Sequence, residues 1–134
     1  MSLYLVDTNW VIDALHAEPV AVQTLADLTD DGLAISLITY AELYEGAYYA
    51  RDPQTALAGM RTFLRKKEIL PLTAAIAERF AVVCGELSRH LRRQIGDLDL
   101  LIAATAIEHN LTVLTRNVKD FQHIPGLSIF SPSR

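Results

Sequence analysis

Two neighbouring segments decide the fold: IGDLDLLIAATAI at residues 95–107 and LTVLT at residues 111–115. In the first, Asp97 and Asp99 are followed by eight residues without a charge, 100–107. This pattern predicts a helix over 97–109 that packs most of its length against a core. The second segment is short, apolar and partly β-branched, which predicts a buried strand. A buried helix that leads into a buried strand is a building unit of α/β folds.

Outward from this unit, strands and helices alternate along the chain. The remaining predicted strands are 3–7, 33–36, 68–72 and 127–130, and the remaining predicted helices are 8–17, 19–30, 38–50, 53–67 and 73–93. Such alternation predicts a parallel sheet of four or five strands with helices on both faces and right-handed crossovers. The expected fold class is therefore α/β, a three-layer α/β/α sandwich.

Composition limits the class of protein. The chain has 134 residues, of which 51% are apolar, and a mean hydropathy of +0.21. We expect one domain over residues 1–134, with part of its apolar surface covered by a partner or a second copy. There is no signal peptide pattern and no apolar run of membrane-spanning length. With a single cysteine, Cys84, we expect a cytoplasmic protein without disulfides whose thiol lies in the core.

The net charge of −4 argues against a protein that simply coats nucleic acid. Basic residues nevertheless form two clusters, one within 61–67 and one within 89–93. Taken alone, each cluster is more simply a solvated helix face.

Polar side chains converge on one edge of the predicted sheet. Asp7 ends the first strand, and Glu42 lies early in the helix that follows the second strand. Asp99 lies in the first turn of the helix 97–109, beside the end of the fourth strand, where Thr115 and Asn117 follow. Parallel sheets bind ligands at the carboxyl ends of their strands. The acids therefore predict a functional site at that edge.

Asp97 and Asp99 cannot both face this site, because residues two apart lie roughly 200° apart around a helix. Asp99 shares a face with the apolar residues that should pack inward. We therefore expect Asp99 to face the site and Asp97 to cap the helix.

Three carboxylates in one cleft repel each other unless a proton or a cation neutralises them. Oxygen ligands without His or Cys favour Mg²⁺ or Mn²⁺. Such a site most often acts on phosphates, since it can activate water and stabilise the charge of phosphodiester cleavage.

Three stretches carry a family resemblance: VDTNWVID at 6–13, SLITYAELYEG at 36–46 and DLLIAATAIEHNLTVLTRNVKDF at 99–121. They resemble PIN-domain proteins and, more closely, VapC-type toxins of bacterial toxin–antitoxin pairs. The resemblance implies a metal-dependent endoribonuclease with a PIN-like sandwich fold. It also implies a homodimer and a small VapB-like antitoxin that blocks the site.

Carried over to this sequence, the resemblance makes Asp7, Glu42 and Asp99 the acidic triad that binds metal. Thr8 or Asn9, together with Thr115, match polar positions that orient water or phosphate. Asn117 stands where the family often has a fourth acid, although Asn occurs there too. The basic residues expected to grip RNA are Arg92, Arg93 and Arg116.

Simpler interpretations remain for each of these residues. Asp7 could cap the first helix, Glu42 could be a solvated acid, and Asn117 with Asp120 could start a short helical turn. Tyr40, Tyr44 and Tyr48 could be core in part and a partner surface in part. At the level of function, the alternative is a PIN-like regulatory module that binds RNA or protein without cutting. A receiver or phosphatase domain is disfavoured, because VDTNW lacks the acidic motifs of those folds.

Overall fold

The computed structural model describes residues 2–131, which form a parallel sheet between two layers of helices. The strands are β1 (Tyr4–Val6), β2 (Leu33–Ser36), β3 (Glu68–Leu70), β4 (Thr112–Leu114) and β5 (Ser128–Ile129). The helices are α1 (Thr8–Leu15), α2 (Pro19–Leu28), α3 (Leu37–Tyr48), α4 (Pro53–Leu64), α5 (Ala74–Glu86), α6 (Arg89–Gln94), α7 (Asp97–Glu108) and α8 (Val118–Phe121). A 3₁₀ turn at Thr29–Asp31 follows α2.

The strand order is β3-β2-β1-β4-β5, and all neighbouring strands are parallel. In register, Leu5 pairs with Ala34 on one side and with Val113 on the other. The carboxyl ends of β1, β2 and β4 therefore meet at one edge of the sheet. The candidate site residues follow these strand ends. Asp7 directly follows β1, Glu42 lies on α3 after β2, and Thr115 directly follows β4.

Alternation along the strands divides the core in two. Leu5, Ala34 and Val113 face the layer of α5 and α7, whereas Val6, Ile35 and Leu114 face the layer of α1 to α4. Successive side chains of a strand point to opposite faces, so each strand contributes to both cores. This arrangement confirms the predicted three-layer α/β/α sandwich, including the fifth strand.

The predicted helix 73–93 was wrong in one respect: the structure divides it into α5 and α6. The helical backbone is interrupted at Leu87, whose ψ is 148°, and Ser88 starts the next helix by accepting a hydrogen bond from Leu91 N. A serine that caps a new helix offers the backbone an alternative to continuing the old one. The apolar spacing runs through the break, so periodicity alone did not reveal it.

The tyrosine stripe divides as expected into core and surface. Tyr40 and Tyr44 pack against the core cluster beneath α3, whereas Tyr48 is 63% exposed. Cys84 is a half-buried free thiol packed against the α5–α7 core. Within residues 2–131, no helix is long and apolar enough to cross a membrane. A single domain over 1–134 stays a prediction, since it reaches beyond the described residues.

Candidate active site

Asp7 is a buried carboxylate at the end of β1, and it is only 4% exposed. Its backbone N–H donates to the Leu114 carbonyl at 2.9 Å, which joins it to the end of β4. Its side chain accepts hydrogen bonds from Thr8 N at 2.7 Å and from the Thr115 hydroxyl at 2.8 Å. Asp7 is thus the N-cap of α1, as its simpler interpretation held, and it also lies in the cleft described below.

Glu42 reaches the same place from α3 through a network of hydroxyls. The Thr8 hydroxyl donates to Glu42 Oε1 at 2.6 Å, and the hydroxyl of the fully buried Thr39 lies 3.1 Å from that of Thr8. Thr39 and Glu42 are three residues apart, so they share one face of α3. Sequence analysis missed Thr39, although this spacing was the signal that could have revealed it.

Asp99 enters from the first turn of α7 and is held by Asn117. The Asn117 amide donates through Nδ2 to Asp99 Oδ2 at 3.2 Å and to Asp120 Oδ2 at 3.1 Å. The Asn117 backbone N–H donates to Thr115 Oγ1 at 2.9 Å, so one chain of bonds connects Asp7 with Asn117. Asn117 is the N-cap residue of α8 but makes no side-chain cap bond. Its amide bridges two carboxylates.

Asp120 extends this network away from Asp99. Besides Asn117, it accepts a hydrogen bond from Gln94 Nε2 at 2.7 Å, which ties α8 to the end of α6. These two hydrogen bonds lower the pKa of Asp120. Asp120 is therefore an ionised neighbour of the site as well as a residue of the short helix α8.

A cleft of about 350 Å³ brings the sequence-predicted residues together. Its lining consists of Asp7, Thr8, Asn9, Glu42, Asp99, Arg116 and Asn117. Thr115 lies behind it, where its hydroxyl holds Asp7. All three acids of the predicted triad thus face one cleft at the carboxyl edge of the sheet.

Electrostatics in this cleft disfavour negative charge. Burial raises the pKa of Asp7 from 3.8 to about 6, against the opposing effect of its hydrogen bonds from Thr115 and Thr8. The charges of Asp99 and Glu42 make smaller contributions to the same rise. Burial also raises the pKa of Asp99, a shift that the Asn117 bond opposes and that Asp120 enhances. An ion of positive charge would relieve both carboxylates.

The donor set fits a hard cation. It contains carboxylate, hydroxyl and amide oxygens and lacks thiol and imidazole. Within residues 2–131, no group of three His, Cys, Asp or Glu side chains is placed to hold a metal ion together. Mg²⁺ does not require one, since it typically binds one or two carboxylates and keeps several waters or substrate oxygens. The residues present therefore fit Mg²⁺ or Mn²⁺.

The predicted RNA-binding arginines have different surroundings. Arg116 lines the cleft, whereas Arg92 and Arg93 lie on α6 outside its lining. Arg92 Nη2 donates to Asp97 Oδ1 at 2.7 Å, and its guanidinium lies 5.7 Å from the Phe80 ring. Contact of these arginines with RNA stays a prediction.

The prediction that Asp97 caps α7 was wrong. The N-cap is Gly96, without a side-chain cap bond, and Asp97 is the first helical residue. The nearby guanidinium of Arg92 offers its carboxylate a stronger partner than a backbone N–H. At this position the negative charge of Asp97 still interacts favourably with the positive end of the helix dipole.

Comparison with known proteins places this geometry in a family. The PIN domain family model matches residues 4–127. The chain belongs to the PIN-domain family. Within that family it is 32% identical to ribonuclease VapC2 of Rickettsia felis, over 93% of this chain and 94% of the relative. It is also 30% identical to the tRNA(fMet)-specific endonuclease VapC of Shigella flexneri, over 95% and 96%.

The VapC likeness extends to three dimensions. The DNA-bound VapBC structure from Salmonella typhimurium matches 97% of this chain and 98% of that chain, with a TM-score of 0.88 and 30% identity. The VapBC2 structure from Rickettsia felis, bound to a promoter DNA fragment, matches with a TM-score of 0.80 and 32% identity. The chain is therefore a VapC-type PIN domain, which confirms the family and fold predicted from sequence.

Proposed function

We propose that this protein is an endoribonuclease toxin of a toxin–antitoxin pair that hydrolyses RNA phosphodiester bonds with Mg²⁺ or Mn²⁺. The observation that carries the proposal is the buried carboxylate of Asp7, which shares one open cleft with Asp99 and Glu42. Burying a charge among like charges is costly for a protein that has no use for it. The relatives named ribonuclease VapC and tRNA(fMet)-specific endonuclease VapC support the same activity.

Asp7, Asp99 and Glu42 would hold the metal. When bound, the ion supplies counter-charge and Lewis acidity for attack of water on the phosphorus. Thr115 keeps Asp7 oriented by a hydrogen bond to Oδ2, and Thr8 does the same for Glu42. Asn117 orients Asp99 by donating to its carboxylate. Asn9 is exposed in the cleft wall, where its amide can bind phosphate or water.

The proposed assembly is a homodimer inhibited by a small VapB-like antitoxin. An apolar groove of about 430 Å³ runs between α1, α3 and α4, and Glu42 lies at its border with the cleft. Exposed Leu98, together with Ile38 and Ala41, lines further apolar surface beside the same residue. A partner that covered these surfaces would obstruct access to the acids. The solved VapBC complexes support such a partner.

The activity is tested with the purified protein and a panel of structured RNAs. We expect cleavage with Mg²⁺ or Mn²⁺ and none with chelator. RNA binding without product under every metal condition would instead favour the alternative, a non-cleaving regulatory module.

The antitoxin surface is tested with a glycine in the groove. Gly46 lies on α3 in the wall of the groove, and a Cβ added there would meet nothing within 4 Å. We expect Gly46→Gln to weaken binding of the co-encoded small protein while cleavage by the free toxin is retained. Gly85→Gln is the matched control, because Gly85 is a helical glycine with equally open surroundings on α5. Equal antitoxin affinity of both variants would remove the groove from the proposal.

Light scattering at micromolar concentration should report a dimer.

A further inference from the structure

Arg116 is held over a buried tryptophan at the wall of the cleft. Its guanidinium carbon lies 4.1 Å from the centroid of the Trp10 ring. Trp10 is only 2% exposed and belongs to the core, so its ring is a rigid platform. The indole N–H finds no hydrogen-bond partner within residues 2–131. Hydrogen bonding therefore does not account for a tryptophan here, whereas stacking beneath a cation does.

Two acids fix the edge of the same guanidinium. Arg116 Nε donates to Asp13 Oδ2 at 3.1 Å, and Nη2 donates to Glu18 Oε2 at 3.5 Å. Glu18 is itself immobilised, because it caps α2 by accepting hydrogen bonds from Val20 N and Ala21 N at 3.1 and 2.7 Å. Helix α1 and the cap of α2 therefore set both the plane and the rotation of Arg116.

This arrangement differs from an ordinary surface ion pair. Arg79 and Glu108 form such a pair at 3.3 Å on α5 and α7, at the opposite end of α7 from Asp99. Arg116 has a stacking platform and two acids, and it is the one cation among the described residues that line the cleft. A guanidinium has five N–H donors, so three remain for a ligand.

Charge alone does not explain this cluster. Asp13 and Glu18 together outweigh the charge of Arg116, so the group carries no net attraction for RNA. The cluster instead orients the planar guanidinium of Arg116, which can donate two parallel hydrogen bonds to a phosphate. Its neighbours in sequence, Thr115 and Asn117, hold Asp7 and Asp99. The same short segment thus places the carboxylates and the guanidinium around one volume.

We propose that Trp10, Asp13 and Glu18 are positioning residues that orient Arg116 to bind a non-bridging oxygen of the RNA phosphate beside Asp7 and Asp99. This inference rests on the proposed ribonuclease function. It assigns roles to three residues that the acidic triad does not include.

The test separates charge from orientation. Steady-state cleavage, which gives kcat and KM, is measured for wild type, Arg116→Lys, Asp13→Asn, Trp10→Phe and the control Arg79→Gln, and each thermal melting curve is recorded. RNA affinity is measured against salt concentration in the non-cleaving Asp7→Asn background, alone and combined with Arg116→Gln or with Arg116→Lys. Loss of one phosphate contact should reduce the slope of log K against log salt by about 0.7 for single-stranded RNA.

If the proposal is right, Asp13→Asn lowers kcat by about tenfold or more, while KM is unchanged or lower because a negative charge near the phosphate is gone. Arg116→Lys keeps the charge and the salt slope but loses kcat to a similar degree. Trp10→Phe keeps a ring and loses less. Arg79→Gln behaves as wild type. Arg116→Gln reduces the salt slope in the Asp7→Asn background.

Other outcomes overturn the proposal. An increase in kcat/KM for Asp13→Asn would mean that the acids compete with RNA for Arg116. Lower melting temperatures with unchanged kcat and KM would make the cluster purely structural. If either result is found while the wild-type protein cleaves RNA, the inference alone is overturned. If the wild-type protein cuts no RNA, the proposed function is overturned as well.

Discussion

The two edges of the sheet have clefts of nearly equal size but opposite electrostatic character. The cleft at the carboxyl edge measures about 350 Å³, and the cleft at the amino edge, lined partly by Lys66, Lys67 and Glu68, about 370 Å³. At the amino edge, Glu68 is exposed and accepts a hydrogen bond from the Ser2 hydroxyl at 2.8 Å. At the carboxyl edge, Asp7 is buried, and within residues 2–131 its carboxylate has no cationic side chain as a hydrogen-bond or salt-bridge partner.

The difference teaches that the size of a cleft does not identify the functional edge. Charges at the amino edge lie near the surface, where water solvates them and they change the free energy of unfolding little. Lys67 is partly buried, which together with Lys66 lowers its pKa, but its ammonium lies 4.6 Å from the Phe63 ring centroid. The amino-edge charges are at most partly buried, whereas at the carboxyl edge Asp7 is buried beside the like charges of Asp99 and Glu42, a cost that function accounts for.

The largest effect should come from neutralising the buried Asp7 or the half-buried Asp99. Asp7→Asn and Asp99→Asn should each reduce metal-dependent cleavage by at least about 10³-fold, about 4 kcal/mol of transition-state stabilisation. Circular dichroism should report an intact fold in both variants. Full activity of either variant with metal present would break the contrast between the two edges, because the buried charge would then have no catalytic use.

The second effect concerns stability without metal. An acid with a raised pKa in the folded state destabilises the protein once it ionises. The cost of Asp7 is absent below about pH 4, grows between pH 4 and about 6, and reaches about 3 kcal/mol above that, at about 1.4 kcal/mol per unit. Asp7→Asn should therefore stabilise the metal-free protein at pH 7.5 by up to this amount and by almost nothing at pH 4.

Urea unfolding in chelator at both pH values measures this difference. The gain should fall short of the maximum, because the Thr115 hydroxyl must turn to accept from the new amide. A variant that is less stable than wild type at pH 7.5 would mean that the hydrogen bonds of Asp7 outweigh its burial.

The sequence predicted the acids of this site because each lies where a parallel sheet must deliver it. Asp7 ends a strand, and Asp99 opens a helix whose apolar length has only one buried orientation. Helix and strand periodicity thus fixed both the layers and the functional edge. This pattern placed the triad, Thr115 and Asn117 at that edge, whereas Thr8 and Asn9 were predicted there through the resemblance to VapC-type proteins.

Features set by side-chain choice between neighbouring partners could not be predicted in this way. Asp97 could cap a helix or pair with Arg92, and only the position of α6 decides between them. The break at Leu87 and Ser88 leaves the apolar period intact, so it has no periodic signal. The Arg116 cluster joins residues about a hundred positions apart, which no local pattern records.

A smaller effect is expected at Asn117. Its amide donates to Asp99 and Asp120, so Asn117→Asp would place a third carboxylate between them. Without metal, this variant should lose about 1–2 kcal/mol of stability through repulsion and lost hydrogen bonds. With metal, the added charge should lower the Mg²⁺ or Mn²⁺ concentration for half-maximal cleavage.

Asp120→Asn is the matched comparison, since it removes charge from the same network while keeping its shape. It should raise the half-maximal metal concentration slightly and cost about 1 kcal/mol or less. If Asn117→Asp leaves metal dependence unchanged and Asp120→Asn shifts it strongly, Asp120 is the fourth acid of the site.

The smallest effect should come from the amino edge, and it completes the comparison. Lys66 is exposed, so Lys66→Gln should change stability by no more than about 0.5 kcal/mol and leave cleavage unaltered. Its one clear consequence should be electrostatic: without the charge of Lys66, the pKa of Lys67 should rise partway towards its usual range. The rise should be incomplete, because burial is the larger cause of the depression. An NMR titration of the lysine side chains measures this shift. A loss of cleavage comparable to that of Asp7→Asn would instead place function at both edges, and buried charge would no longer distinguish them.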